Sequence, residues 1–259
     1  MRMAGKVGIV TGGSLGIGRA GAMRFAREGA TVVVVARHAD TVQETVRDIE
    51  SAGGQAMGLC GDLADETFAR RIVHDTVQRF QGLNFVWNNV GHPGPAAFEE
   101  LDLAIYDQAM NINVRSAMAT TAEALPYLRR SGGGSVLFTA SVSGIVGSPF
   151  SPVYSAAKFA LVGLARSLAK RHGKEGIRFN VLCPGSTDTA MLRVFVARPD
   201  QKDTQGMDPE ALVKARAGNN ALGRPAQPDE VGNAALFLLS DEASFVTGAV
   251  LAVDGGSSA

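Results

Sequence analysis

Residues 6–28 read KVGIVTGGSLGIGRAGAMRFARE. The first six form a short apolar run of the kind a buried strand needs, the glycines after Thr11 make a turn, and Arg19 to Glu28 carries a helical pattern that Gly29 stops. Thr31 to Ala36 repeats the strand with a nearly continuous β-branched run. The helix pattern after it puts Val42, Val46 and Ile49 on one face before Gly53 and Gly54 end it. Gln55 to Cys60 is a third strand, Phe68, Ile72, Thr76 and Phe80 mark the next helix, and Asn84 to Asn88 is a fourth strand. Beyond them the alternation predicts one or two helices between Glu99 and Arg130, a strand over Gly134 to Thr139 and a long helix over Ser151 to His172. A strand over Ile177 to Cys183, a helix over Asp229 to Ser240 and a closing strand over Ala249 to Val253 complete it. Residues 186–222 break the rhythm, with Pro199, Gly206, Pro209 and Gly218 interrupting short amphipathic pieces, and read as an insertion.

Continuously apolar strands alternating with helices require a sheet buried on both faces, which is the parallel, doubly wound arrangement. The expectation is one α/β domain over residues 1–259, a mostly parallel seven-stranded sheet with helices on both faces and ligands beyond the carboxyl ends of its strands. Composition agrees: of 259 residues, 46% are hydrophobic and 19% charged, enough to fill a large core. Lys plus Arg and Asp plus Glu number 25 each, and no basic tract is present, which argues against nucleic acid or an anionic membrane surface as partner. No apolar stretch approaches the roughly 18 residues of a membrane span, and the first residues lack a secretion signal, so a cytoplasmic protein is expected. Cys60 and Cys183 lie far apart at the ends of apolar runs and read as buried free thiols.

The turn Thr11-Gly12-Gly13-Ser14-Leu15-Gly16-Ile17-Gly18 has what a pyrophosphate cradle needs: residues that tolerate positive φ, and no Cβ where backbone N–H groups at a helix start approach the phosphate. Dinucleotide binding follows. At the end of the second strand, an acidic residue would favour the ribose hydroxyls of NAD and an arginine the 2′-phosphate of NADP. Arg37 stands there, with no carboxylate before Asp40, so NADP(H) is favoured and NAD(H) remains possible. Asp62, after the third strand, reads either as an adenine contact or as a helix N-cap.

Tyr154 and Lys158 are four residues apart at the start of the long helix and project from one face. An ammonium beside a phenol stabilises the phenolate, and the positive charge of an oxidised nicotinamide adds to that, which makes tyrosine a usable base. Ser141, just after the fifth strand, is placed to hydrogen-bond a substrate carbonyl. A lone His92 without a carboxylate or cysteine partner reads as a loop residue.

Together with Asn88-Asn89-Val90-Gly91, Asn113 and Pro184-Gly185-Ser186-Thr187-Asp188-Thr189, these motifs give a chain that, over essentially its whole length, resembles the short-chain dehydrogenase/reductase family, whose fold is Rossmann-like. The resemblance implies that Tyr154 is the general acid/base, Lys158 holds the nicotinamide ribose, Ser141 orients the substrate oxygen and Asn113 supports a water-linked proton relay. Asn111 and Ser143 compete for the last two roles, and the family's spacing favours Asn113 and Ser141. It also implies cofactor contacts at Gly12, Ser14, Leu15, Gly16, Ile17, Gly18, Asp62, Leu63, Asn89, Gly91, Pro184, Gly185, Thr187 and Thr189, besides Arg37, Tyr154 and Lys158. Val90 and Thr187 depart from the family's usual alanine and aliphatic residue.

The implied reaction is hydride transfer between nicotinamide and a carbonyl or secondary alcohol, without a metal. The alternatives are an NAD-dependent diol, sterol or sugar dehydrogenase and a non-catalytic cofactor-binding protein. Val142, Ile145, Val146, Phe150, Met191, Leu192, Phe195 and Val196 favour an apolar or aromatic ketone, and residues 190–221 are expected to form a substrate lid on which Arg193, Arg198 and Lys202 are either solvated or meet a substrate acid. The long helix is apolar almost all round, which predicts a homo-oligomer, and the resemblance implies a dimer or tetramer built partly from this helix.

Overall fold

A computed structural model describes residues 1–99, 101–198, 204, 206–217 and 220–259. Pro199, Lys202 and Gly218 of the insertion lie outside the described residues. Strands β1 (Val7–Thr11), β2 (Thr31–Ala36), β3 (Gln55–Cys60), β4 (Phe85–Asn88), β5 (Gly134–Thr139), β6 (Ile177–Pro184) and β7 (Val250–Val253) form a single sheet in the order β3-β2-β1-β4-β5-β6-β7, and every pairing is parallel. The chain winds outward from β1 to β3, crosses to β4 and winds outward the other way. The carboxyl ends of β1 and β4 therefore flank a crevice.

β2 shows why its sequence is a continuous apolar run. Val32 and Val34 pack with Ala22, Phe25, Ile49 and Val231, from α1 (Gly16–Arg27), α2 (Ala39–Ser51) and α9 (Pro228–Leu239). Val33 and Val35 point the other way, into a core with Phe68, Ile72, Ala124 and Leu161 from α3 (Glu66–Phe80), α5 (Ser116–Arg130) and α6 (Pro152–His172). On the first face α1 crosses α9 at two glycines: a Cβ on Gly232 would stand 3.2 Å from the Gly21 nitrogen, and one on Gly21 only 2.1 Å from the Trp87 ring.

Helix α1 begins at Gly16, inside the glycine turn, rather than at Arg19. The region expected to hold one or two helices is α4 (Leu103–Met110), capped by the Asp102 carboxylate on the Ala104 N–H (2.8 Å), a π-helical turn at Asn111–Arg115, and α5. In the insertion, α7 (Ala190–Val196) and α8 (Pro209–Ala217) share a small core of Leu192, Val196 and Val213. Cys183 is buried as expected, but Cys60 is exposed, because β3 is the edge strand and has no neighbour beyond it. Its thiol donates to the Arg37 carbonyl (3.0 Å). Among the described residues, no helix is long and apolar enough to cross a membrane.

Candidate active site

The glycine turn ends in a helix start without a side-chain cap. Leu15, more than half exposed, occupies the N-cap position of α1 in extended backbone, so the first N–H groups of the helix keep their hydrogen-bonding capacity and the positive end of its dipole faces outward. Gly12 (φ 64°) and Gly16 (φ 50°) take the positive φ that the turn requires. At Gly18 a Cβ would lie 2.1 Å from the Gly12 carbonyl oxygen and 2.6 Å from Asn89 Nδ2. Ser14 is buried and tied to α2, accepting from the Thr41 hydroxyl (3.0 Å) while its carbonyl accepts from Thr45 (3.3 Å). Ile17 is half-buried. This cradle fits a phosphate group.

Arg37 is exposed at the end of β2 and makes no ion pair among the described residues. Its charge reaches His92 across the crevice: burial first, and the guanidinium second, hold that imidazole below its ordinary value. His92 Nδ1 accepts from the Gly94 N–H (3.0 Å), a loop role. Asp62 accepts from Ala64 N–H (2.9 Å) in a tight turn, with Leu63 buried behind it. It is not the helix cap, because Asp65 takes that place, accepting from Thr67 N–H (2.8 Å).

A polar ladder crosses the strand ends. Trp87 Nε1 donates to the Thr139 hydroxyl (2.8 Å), which donates to Asn89 Oδ1 (3.1 Å), while Asn89 Nδ2 reaches the Gly12 carbonyl (3.4 Å). The Thr139 carbonyl accepts from Lys158 Nζ (2.9 Å). Sequence reasoning did not single out Thr139, because a threonine at a strand end carries no signal of the three partners that meet there.

Ser141 caps a short 3₁₀ turn, its hydroxyl accepting from the Ser143 N–H (3.2 Å), and it lies close enough to the Tyr154 phenol to favour its ionised form. Tyr154 lies in the first turn of α6, and the ammonium of Lys158 stands 5.2 Å from the centre of its ring. Burial dominates both groups. It pushes Tyr154 up to about 12, with Ser141 and Arg198 pulling down and Cys183 pushing up, and it brings Lys158 down to about 8. Asn113, in the π-helical turn, is buried and bonds the His92 backbone in both directions, accepting from its N–H (3.1 Å) and donating to its carbonyl (2.8 Å). A Cβ on Gly91 would stand 3.3 Å from Asn113 Oδ1 and 3.6 Å from Lys158 Nζ. Asn113 and Lys158 therefore both border Gly91.

After β6, Gly185 N–H donates to the Val253 carbonyl (3.0 Å), and buried Thr187 bridges to Ala226. Thr189 caps α7 and leans over the glycine turn, 3.0 Å from where a Gly16 Cβ would be. Arg193 is engaged by Asp188 (2.7 Å) and Glu210 (2.6 Å), and Arg198 is buried with its guanidinium on backbone carbonyls, so neither is the solvated lid charge weighed from sequence.

Three comparisons bear on this geometry. A family model described as enoyl-(acyl carrier protein) reductase matches residues 12–258. The 2,5-dichloro-2,5-cyclohexadiene-1,4-diol dehydrogenase of Sphingobium indicum is 38% identical over 260 residues, spanning 99% of this chain and 98% of that protein. The L-sorbose reductase of Gluconobacter frateurii, solved with NADPH and L-sorbose, has a TM-score of 0.92 at 29% identity, covering 100% of this chain and 99% of that one. Levodione reductase has a TM-score of 0.93 at 32% identity, with 99% of each chain covered.

Proposed function

The chain belongs to the short-chain dehydrogenase/reductase family and is an oxidoreductase, and from that premise we propose that it transfers hydride between NADP(H) and a carbonyl or secondary-alcohol carbon, with Tyr154 as general acid/base. The observation that carries this reading is the convergence of Ser141 on the Tyr154 phenol with Asn113 and Lys158 on Gly91. Gly12, Ser14, Leu15, Gly16, Ile17 and Gly18 would hold the pyrophosphate, Asp62, Leu63 and Asn89 the adenosine portion, and Gly91, Pro184, Gly185, Thr187 and Thr189 the nicotinamide end. When bound, the nicotinamide supplies the carbon that gives or takes the hydride. Tyr154 gives its Oη proton to the substrate oxygen in reduction and takes it back in oxidation, Ser141 orients that oxygen, and Lys158 with Asn113 carries the proton onward.

The exposed apolar side chains of Ile145, Val146, Phe150 and Met191 beside this site support an apolar ketone or alcohol. Cyclic ketones come first, since the Sphingobium relative is named for a cyclic diol. The same reading takes residues 1–259 as one catalytic domain, residues 190–221 as a cover over the substrate, and a cytoplasmic location that cell fractionation checks.

NADP is favoured because Arg37 offers a free guanidinium where a 2′-phosphate would sit; one charge-assisted hydrogen bond of about 1.5–3 kcal/mol corresponds to roughly tenfold to a hundredfold in affinity. Fluorescence titration with NADPH and NADH tests this. Wild type should bind NADPH at least about tenfold tighter, and Arg37→Asp should reverse the order. Tighter NADH binding by wild type would favour the NAD-dependent diol, sterol or sugar dehydrogenase, and no binding of either would support a protein without this cofactor.

A further inference from the structure

Arg198 is only 4% exposed, though it follows a short surface helix. Its guanidinium gathers two loops that are far apart in sequence. Nη1 donates to the carbonyls of Pro93 (3.3 Å) and Gly94 (3.4 Å), beyond β4, and Nη2 donates to the carbonyl of Phe150 (2.5 Å) and the hydroxyl of buried Ser151 (3.0 Å), at the start of α6. The Phe195 ring lies under the same guanidinium, 4.6 Å from its central carbon. The other side of that ring arrangement meets Tyr154 edge-on, with centroids 4.8 Å apart and planes at 71°. A guanidinium that is planar and carries several donors suits this combination of stacking and forked hydrogen bonding in a way that an ammonium does not.

We propose that Arg198 is a positioning residue that clamps Phe195 against Tyr154, so that the substrate segment and the general acid/base are set by one buried cation. This rests on the reading of Tyr154 as the proton carrier. The clamp has a steric and an electrostatic consequence. Phe195 covers one side of the phenol and so narrows the approach of substrate to its hydroxyl. The charge of Arg198 favours the tyrosinate, opposing the burial that disfavours it. Among the described residues, the other polar groups facing Tyr154 are Ser141 after β5, Cys183 on β6 and Lys158 one turn along α6, so Arg198 is the cation brought to it from the substrate segment.

Arg198→Met and Arg198→Lys separate the two consequences. In Arg198→Met, KM for a cyclic ketone should rise by about tenfold or more with the Kd for NADPH unchanged, and the pH at which alcohol oxidation sets in should move upward. Arg198→Lys keeps the charge without the fork, so the onset pH should stay while KM still rises. Phe195→Ala leaves the clamp on its carbonyls and should reproduce the KM effect alone, which guards against a global folding defect in the arginine variants. Wild-type KM and onset pH in Arg198→Met would overturn the proposal, as would a parallel loss of NADPH affinity. Turnover by Tyr154→Phe at the wild-type rate would instead overturn the acid/base reading, whatever the arginine variants do.

Discussion

Lys158 is one of the largest fully buried side chains in the molecule, and a hydrogen bond to Thr139 does not compensate for its lost hydration. A fall from its ordinary 10.5 to about 8 corresponds to roughly 3 kcal/mol against folding at neutral pH. Removing the amine leaves the buried Thr139 carbonyl without its donor, which costs about 1–3 kcal/mol, so Lys158→Met should be more stable than wild type at pH 7 by at most about 2 kcal/mol while losing activity. Because the folded-state value is lowered, the unfolded chain holds the proton more tightly, and the penalty fades as pH rises from about 8 through 10.5. Thermal melts at pH 7 and about pH 10 should show the gap closing; a lower melting point for the methionine variant at neutral pH would contradict the argument. Tyr154, Lys158 and Ser141 were legible in the sequence because their spacing and their place after strands carry meaning. Arg198 was not, since its partners lie up to 105 residues away and only the fold brings them together. Nor does spacing reveal that burial is the largest influence on the phenol.

The strands were legible almost to the residue, because a sheet covered on both faces demands uninterrupted apolar runs and turns must stop them. Helix boundaries were less so. Glycine is a poor helix former, so nothing in Gly16-Ile17-Gly18 advertises that α1 has already begun there; only the contact with Gly12 and Asn89 explains it. The π-helical turn that carries Asn113 leaves no compositional trace either, since its residues suit an ordinary helix. Where α1 and α9 cross, the glycines do have a readable physical cost. Gly21→Ala would gain up to about 1 kcal/mol of helix propensity, but its methyl would enter the Trp87 ring, which is fully buried and held by Phe25 at 5.4 Å and by Thr139. A net loss of about 1–3 kcal/mol is expected, visible as a lower melting temperature. An unchanged or raised value would show that the crossing tolerates a methyl.

At the scale of the molecule, the strand order gathers groups from residues 12 to 198 around one crevice. The glycine turn follows β1, Arg37 follows β2, Gly91 and His92 follow β4, and Ser141 follows β5. The surface behind the site has its own consequence. One side of α6 is buried through Val153, Ala157, Leu161 and Ala165, while Ala156, Phe159 and Gly163 of the same helix are exposed, as is Met118 of α5. We therefore expect a homodimer or homotetramer by light scattering, and a monomer at working concentration would refute it. The central claim concerns the proton. Carbonyl-dependent oxidation of NADPH, followed through the absorbance of the reduced nicotinamide with a panel of cyclic ketones, should proceed in wild type. In Tyr154→Phe it should fall by about a hundredfold or more with NADPH affinity intact; wild-type turnover in that variant would contradict the account.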